Sequence, residues 1–203
     1  MQQRQARRDV VIAASSINSP KILQLSGIGP PDVLRAAGIA VAHPLKGVGE
    51  NLQDHLDFTL SYKSKDTNNF GIGLVATARL ILAMLEWWRT GNGMIATPFA
   101  EGAAFLKTDP SLDRPDIQLH FVIAVVDDHA RRLHLGYGYS CHVCVLRPHS
   151  RGTVTLKNAD PMADPVIDPQ FLSDRRDLET MIKGAKMTRH ILQTEPLASY
   201  AKQ

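Results

Sequence analysis

Short strand-like segments in the second half of the chain constrain its fold more than any other feature. Each is bounded by Pro, Gly or Asp residues, which favour turns. The segments cover residues 103–107, 117–126, 139–146 and 153–156. A further segment, residues 58–63, alternates between apolar and polar side chains as a strand does. The pattern therefore predicts an α+β unit with a largely antiparallel sheet.

The first part of the chain has a different character. Residues 10–14 form an uninterrupted apolar run with β-branched side chains, which is typical of a strand buried on both faces of a parallel sheet. Such a strand needs neighbours on both sides, and nothing before it supplies them. We therefore expect an incomplete α/β layer at the start of the chain.

Two short helices follow this predicted strand. Ser19 and Pro20 suit the first cap and the first helical position of one helix, which Gly27 ends. The second helix begins with Pro30 and Pro31, has Asp32 in its first turn, and ends at Gly38.

Two longer amphipathic helices are also predicted. One ends at Gly91 and Gly93, and its apolar side chains recur at helical spacing. These side chains are Leu74, Ala78, Leu82, Leu85 and Trp88. The other helix runs from a Ser173 cap to about Leu192. Its candidate core positions are Leu178, Ile182, Ala185 and Met187.

Composition excludes several classes of protein. The chain has 203 residues, 44% of them hydrophobic, which is enough to bury a core in one or two domains. Its 23 basic and 20 acidic residues are spread along the chain, so no nucleic-acid surface is indicated. Residues 74–88 contain charges and fall short of the ~20 residues that cross a bilayer. Two cysteines are too few for a disulfide framework, which favours a cytoplasmic protein.

The segment Cys141-His142-Val143-Cys144 has the spacing of half a zinc site or of a redox pair. Residues three apart on a strand point to opposite faces, and no second ligand pair accompanies them. We therefore predict two buried thiols and no metal site. Four histidines lack the spacing of a metal motif, so surface or hydrogen-bonding roles are expected for them. They are His129, His134, His142 and His149.

Three ordered motifs identify a family resemblance. The run SSINSPKILQLSGIG, residues 15–29, resembles the second signature of the glucose-methanol-choline oxidoreductases. GVGENLQDH, residues 47–55, looks like the next landmark of that family. Residues 147–174 resemble the opening of its C-terminal substrate-binding region. The chain is thereby identified as similar to FAD-dependent alcohol oxidoreductases of the choline and alcohol dehydrogenase type.

The resemblance implies a division of the chain into two parts. Residues 1–56 would be the end of an FAD-binding, Rossmann-like domain, an α/β remnant, and residues 57–203 an incomplete α+β substrate-binding domain. The family's GxGxxG unit and its catalytic histidine have no match here. We therefore expect the isolated chain to be inactive. The alternative is a short non-catalytic product of a split or degraded gene, which is an interaction module or has no function.

The resemblance also implies binding residues for FAD. Ser15, Ser16 and Asn18 would contact the cofactor, although many relatives have Gly-Ala where this chain has Ser15-Ser16. The bare backbone at Gly47 and Gly49 could lie against a flavin, or could simply form tight turns.

A second implied set of residues would bind an alcohol substrate. His55 and Asp57 match residues near the trimethylammonium group of choline, and His120 matches a histidine near the substrate alcohol; the alternative for His120 is a hydrogen-bonded core histidine. Asp57 is shorter than the family's Glu, and Ala100 replaces a tryptophan, whereas a cation cage prefers aromatic faces. A neutral aliphatic or aromatic primary alcohol is therefore at least as well supported as choline.

In the intact parent, a downstream histidine would take the hydroxyl proton while the flavin accepts hydride. The predicted strand at residues 10–14 would also leave an open sheet edge. Because such edges template strand pairing, self-association is expected.

Overall fold

A computed structural model describes residues 5–125 and 134–202. The predicted strand end at Val126 and the histidine His129 lie outside the described residues. The chain forms two compact units. The first comprises Met1–Asp54 and His149–Asp174, and the second His55–Pro148 and Arg175–Gln203. The assignment of residues 1–56 to cofactor binding and residues 57–203 to substrate binding stays a prediction.

The first unit contains two helices and two small strand pairs. The helices are α1 (Ser15–Leu25) and α2 (Pro31–Ala36). The strands are β1 (Ile28–Gly29), β2 (His43–Pro44), β8 (Thr153–Thr155) and β9 (Val166–Asp168). β1 and β2 pair in parallel, and β8 and β9 pair in antiparallel fashion. α2 begins at Pro31, with Pro30 as the residue before it, and carries Asp32 in its first turn as the sequence predicts.

The predicted start of α1 is wrong by one turn. The helix begins at Ser15, and Pro20 lies inside it. The Ser19 hydroxyl accepts a hydrogen bond from the backbone N–H of Ala14 at 3.0 Å, so it does satisfy a donor at the start of the helix. It does so from the second turn, because the chain already enters helical geometry before the proline.

The predicted buried strand at residues 10–14 is also wrong. No strand is assigned there, and Val10 and Val11 are 79% and 86% exposed. An apolar run becomes a buried strand only where neighbouring strands satisfy its backbone groups. Among the described residues, none pairs with this segment.

The second unit is built around an antiparallel sheet, as predicted. Its strands are β3 (Asp57–Ser64), β4 (Gly71–Ile72), β5 (Ala100–Leu106), β6 (Ile117–Val122) and β7 (Gly136–Val145). The order is β3-β7-β6-β5, and β4 pairs with β7 on the side of β6, beyond the end of that strand. Every pairing in this sheet is antiparallel.

Within the described part of this unit, three α-helices accompany the sheet, α3 (Leu74–Thr90), α4 (Arg175–Leu192) and α5 (Leu197–Tyr200), together with a short 3-10 helix (Met94–Ala96). α4 packs on one sheet face and closes the hydrophobic core. The buried residues of this core are Ile117, Leu119, Tyr139, Cys141, Val143, Val145, Met181 and Leu192. None of the helices in the described ranges has the length and apolar character to span a membrane.

The predicted buried faces of both long helices need correction. In α3 the buried residues are Ala76 and Ala83, whereas Trp88 of the predicted apolar stripe is 79% exposed. In α4 the predicted core residues Leu178 and Ile182 are exposed, whereas Met187 packs against the core as predicted. The buried face of α4 consists instead of Asp177, Met181, Gly184, Thr188 and Leu192.

Candidate functional site

The two faces of the second unit's sheet differ in chemistry. One face carries the core and packs against α4. The pairing register places Thr59, His142 and His120 side by side on the other face, since His142 is the cross-strand partner of both residues. Directly opposed residues of adjacent strands carry their side chains on the same face. Polar groups from three strands therefore form one row, which we call the polar sheet face.

Asp57 and His142 are joined on this face by a short ionic hydrogen bond. Asp57 Oδ2 lies 2.5 Å from His142 Nδ1, and Thr59 Oγ1 lies 3.1 Å from the same nitrogen. A carboxylate can only accept, so the proton between the two groups belongs to Nδ1. The aspartate thus fixes the orientation of the imidazole ring.

Further polar side chains extend the polar sheet face. The Ser61 and Ser140 hydroxyls lie 2.9 Å apart, and Ser140 Oγ donates to the Ala124 carbonyl at 2.8 Å. A cavity of about 340 Å³ opens beside these strands. Its lining consists of Thr59, Ser61, Tyr62, Lys63, Val125, His134, Leu135 and Tyr137. The volume falls in the range of small-molecule sites.

The predicted substrate residues differ in their placement. Asp57 and His120 lie on the polar sheet face, two strands apart. His120 is half-buried, and within the described residues its ring makes no hydrogen bond. His55 precedes β3 and is exposed, and its Nε2 lies 3.0 Å from the Leu146 carbonyl oxygen. The roles of these three residues in binding substrate stay predictions.

The two cysteines are free and buried, as predicted. Cys141 belongs to the core, whereas Cys144 is the cross-strand partner of Asp57. Burial raises the pKa of the Cys141 thiol to about 11, and the charge of Asp57 adds to the rise. Burial and the charge of Asp57 also raise the pKa of Cys144, whereas a hydrogen bond with the Gln118 backbone lowers it. Neither thiol is thus a nucleophile at neutral pH, and the described residues contain no cluster that could hold a metal ion.

The first unit contains a second cavity, of about 540 Å³. Four residues of α1 line one side: Ser16, Ser19, Pro20 and Leu23. The loop of residues 47–53 lines another side, and Val154 of β8 completes the wall. Of the predicted cofactor residues, Ser16 lines this cavity. Ser15 and Asn18 lie in the same helical turn and are exposed, outside the lining.

Two backbone N–H groups of this loop make no hydrogen bond within the described residues. The N–H groups of Val48, Glu50 and Leu52 bond to Leu45, Gly47 and Gly152. Those of Gly49 and Asn51, between them, bond to no acceptor in the part of the chain that the structure describes. Alternate donors are thus available along one loop, as in backbone sites for anionic or oxygen-rich ligands.

Gly49 is required by this geometry. Its φ is +84°, and a Cβ there would collide with the Val154 carbonyl and the Gln24 side chain. Gln24 is fully buried and donates from Nε2 to the Val154 carbonyl at 2.9 Å and to the Val48 carbonyl at 3.3 Å. Its Oε1 has no hydrogen-bond partner among the described residues. This orphaned acceptor is buried directly behind the loop.

The N-terminus of α1 supplies further donors. The helix has 11 residues, no side-chain cap on its first turn and no acidic residue there. Unpaired N–H groups and the helix dipole make such a terminus favourable for phosphate or carbonyl oxygens. The cavity therefore fits a ligand with negative or oxygen-rich groups, and FAD is such a group.

Sequence reasoning missed two residues of these sites. His142 was assigned only a surface or hydrogen-bonding role, because its partner Asp57 lies 85 residues away. Gln24 sits between Leu23 and Leu25, where a polar residue on a buried helix face was the available signal.

Comparisons with known proteins agree with the resemblance in the motifs. GMC oxidoreductase family models match residues 1–57 and residues 148–203. An alcohol dehydrogenase [acceptor] of Pseudomonas putida is 39% identical over 195 residues, which are 96% of this chain and 35% of that protein. An oxygen-dependent choline dehydrogenase of Brucella anthropi is 39% identical over 190 residues, 92% of this chain and 34% of the relative.

A solved structure has the same fold. Formate oxidase of Aspergillus oryzae RIB40, in a study of its FAD modification, superposes with a TM-score of 0.85 at 23% identity. The match covers 98% of this chain and 39% of that one. The chain spans about a third of the length of the curated relatives it matches. The two family models, the relatives and the shared fold together show that the chain belongs to the GMC oxidoreductase family.

Proposed function

We propose that this chain supplies a flavin-binding wall and an alcohol-binding face to an FAD-dependent oxidoreductase that acts on CH–OH groups. The observation that carries the proposal is the first unit's cavity, where uncapped helical donors and free loop N–H groups meet. The relatives named alcohol and choline dehydrogenase support the substrate class.

Residues of the first unit would hold the cofactor. Ser16 would donate from the first turn of α1, and the backbone N–H groups of Gly49 and Asn51 would donate from the loop. Gln24 would keep this loop in place through its bond to the Val48 carbonyl. Ser15 and Asn18, exposed in the same turn, would add polar contacts. When bound, FAD supplies the hydride acceptor for oxidation of the alcohol carbon.

Residues of the polar sheet face would bind the alcohol. The ring of His120 has a nitrogen available to accept or donate a hydrogen bond to a hydroxyl group. Asp57 holds His142 through Nδ1, which leaves Nε2 for a second contact. His55, whose Nε2 lies 3.0 Å from the Leu146 carbonyl oxygen, would contact the substrate as the resemblance implies. The general base that takes the hydroxyl proton is assigned to none of these residues.

A titration of the chain with FAD tests the cofactor half of the proposal. Flavin fluorescence would be followed for the unaltered chain, for Ser16→Glu and for the charge-matched control Ala36→Glu on the exposed surface of α2. A carboxylate in the first turn stabilises a helix but repels the phosphates of FAD. We expect Ser16→Glu to weaken binding at least about tenfold, as a repelled phosphate costs roughly 1.4 kcal/mol or more. The control should bind normally.

Two outcomes would contradict the proposal. One is a chain that takes up no FAD from an excess and stays colourless after desalting. The other is equal affinity in the Ser16→Glu and Ala36→Glu variants, which would place the flavin elsewhere. The alternative of a short non-catalytic interaction module, the cytoplasmic location and the incompleteness of the site remain hypotheses from the sequence.

A further inference from the structure

We propose that His142 is the specificity-determining residue of the polar sheet face, and that it directs this face to neutral alcohols by occupying the carboxylate of Asp57. The inference rests on the proposed function of this face as the alcohol site. It adds a residue that the family resemblance does not assign, and it decides between the neutral and cationic alcohols that the sequence left open.

The first step of the argument is the engagement of Asp57. The Asp57 side chain is 44% exposed and that of His142 20% exposed, with 2.5 Å between Oδ2 and Nδ1. A charge-assisted hydrogen bond of this length is among the strongest that a carboxylate forms. A quaternary ammonium group carries no N–H, so it offers Asp57 only a Coulomb attraction in return. The imidazole should therefore keep the carboxylate when such a cation approaches.

The second step is the surroundings of the pair. Thr59, which bonds to the same His142 nitrogen, also lines the cavity of about 340 Å³. That cavity has Lys63 in its lining and no Asp or Glu among its described residues. Among the described lining residues no carboxylate compensates the Lys63 ammonium group, which therefore repels a cationic ligand. Hydroxyl groups of Thr59 and Ser61 instead suit a neutral ligand that donates and accepts hydrogen bonds.

The third step is the neighbour of His142 across the sheet. His120 is the cross-strand partner of His142, and it presents a ring with no hydrogen bond within the described residues. A hydroxyl group bound near this pair would contact imidazole nitrogens. These nitrogens bind neutral alcohols by hydrogen bonding, and a positive charge elsewhere in the ligand does not strengthen that bond. Histidine, lysine and hydroxyl groups thus line the face, and His142 already engages the carboxylate of Asp57.

The test compares two ligands of one shape. Choline carries a trimethylammonium group, and neohexyl alcohol carries a tert-butyl group in its place. Dissociation constants for both would be measured by NMR titration of the full chain, with chemical shifts of histidine ring protons as the readout. The variants are His142→Ala, His142→Asn, the double variant His142→Ala/Asp57→Asn, and the control His190→Ala. His190 is exposed on α4, which packs on the opposite face of the sheet.

We expect the unaltered chain and the His190→Ala control to prefer neohexyl alcohol. His142→Ala releases the carboxylate, so choline should bind about fivefold more tightly relative to neohexyl alcohol, the size expected for a partly exposed ion pair. His142→Asn retains a donor near the Nδ1 position and should shift the ratio less. The gain should vanish in the double variant, which has no free carboxylate, even if the single variants differ in stability.

Each contrary result has a distinct meaning. If neohexyl alcohol binds, but His142→Ala leaves the ratio of the choline and neohexyl alcohol dissociation constants unchanged, the role of His142 is overturned and the proposed function stands. A preference for choline in the unaltered chain overturns the inference as well. Failure of both ligands to bind any variant overturns the inference together with the alcohol half of the proposed function, while FAD uptake is judged by its own titration.

Discussion

The Gln24 side-chain amide donates to the Val154 carbonyl at 2.9 Å and so links α1 to β8 across 130 positions of sequence. The same nitrogen lies 3.3 Å from the Val48 carbonyl, in the loop that lines the first unit's cavity. A single buried side chain therefore connects three segments that are far apart in sequence.

Replacing Gln24 with leucine should destabilise the first unit. The change leaves two buried carbonyl groups without this donor, which costs on the order of 2 kcal/mol. Urea unfolding followed by circular dichroism measures the loss. Gln193→Leu, at an exposed position after α4, is the matched control and should be nearly neutral. Equal free energies of unfolding for the two variants would show that the Gln24 hydrogen bonds do not stabilise the first unit.

Gly184 lies on the buried face of α4, where the helix packs closely against the sheet. A Cβ at this position would lie 3.0 Å from a methyl carbon of Val143 and 3.3 Å from one of Ile117. A large side chain must push the helix away, so Gly184→Leu should destabilise the second unit by about 1–3 kcal/mol. Lys183→Leu, one residue earlier and exposed, controls for the change in composition. A Gly184→Leu variant as stable as Lys183→Leu in thermal unfolding would argue against close packing here.

The same glycine explains why the sequence misplaced the buried face of α4. Pattern analysis favoured Leu178 and Ile182, since apolar side chains usually mark the core. The helix packs instead through Gly184, beside Thr188, whose hydroxyl donates to the Gly184 carbonyl at 2.8 Å. Small residues permit a close approach that periodicity of apolar residues does not reveal. The position of the helix was predictable from sequence, whereas its rotation depended on the sheet beneath it.

The sheet shows a similar limit. Its strands and antiparallel pairing were predictable from local alternation and turn residues. The partnership of Asp57 with His142 depends on the register between β3 and β7, which are separated by more than seventy residues. A shift of one residue would move either side chain to the opposite face. The motifs thus pointed to Asp57 and His120, while the residue between them in space had no local signal.

The buried thiols predict how stability depends on pH. The folded pKa of Cys141 is raised to about 11 by burial. An unfolded thiol ionises near ~8.5, so above that pH the unfolded state binds fewer protons than the folded state. Stability from this thiol is therefore complete below pH ~8.5 and is lost as the pH rises towards 11. Cys144 acts in the same direction.

The measurement is the free energy of unfolding between pH 8 and 11, for the unaltered chain and for Cys141→Ala. We expect a decline with rising pH that is shallower in the variant, because its unfolded state has one thiolate fewer. Alkylation by iodoacetamide at neutral pH gives a second check, since only thiolates react. Rapid modification of Cys141 in the folded chain would contradict the raised pKa.

The outward face of α3 predicts self-association more directly than the segment that the sequence suggested. Leu85 and Trp88 are 52% and 79% exposed and, with Leu74 and Ile81, fall on one side of the helix. Contiguous apolar surface of this kind promotes association between copies. Val10 and Val11 are also exposed, but residues 10–14 form no sheet edge that could template pairing.

Sedimentation velocity separates the two sources. Leu85→Lys should shift the chain toward monomer, because a charge in the middle of the apolar face must be desolvated on contact. Val11→Lys should leave the distribution unchanged if α3 is the contact, and it matches the first variant in charge. The reverse pattern would restore the segment at residues 10–14 as the site of association. A monomer at every concentration in the unaltered chain would contradict both.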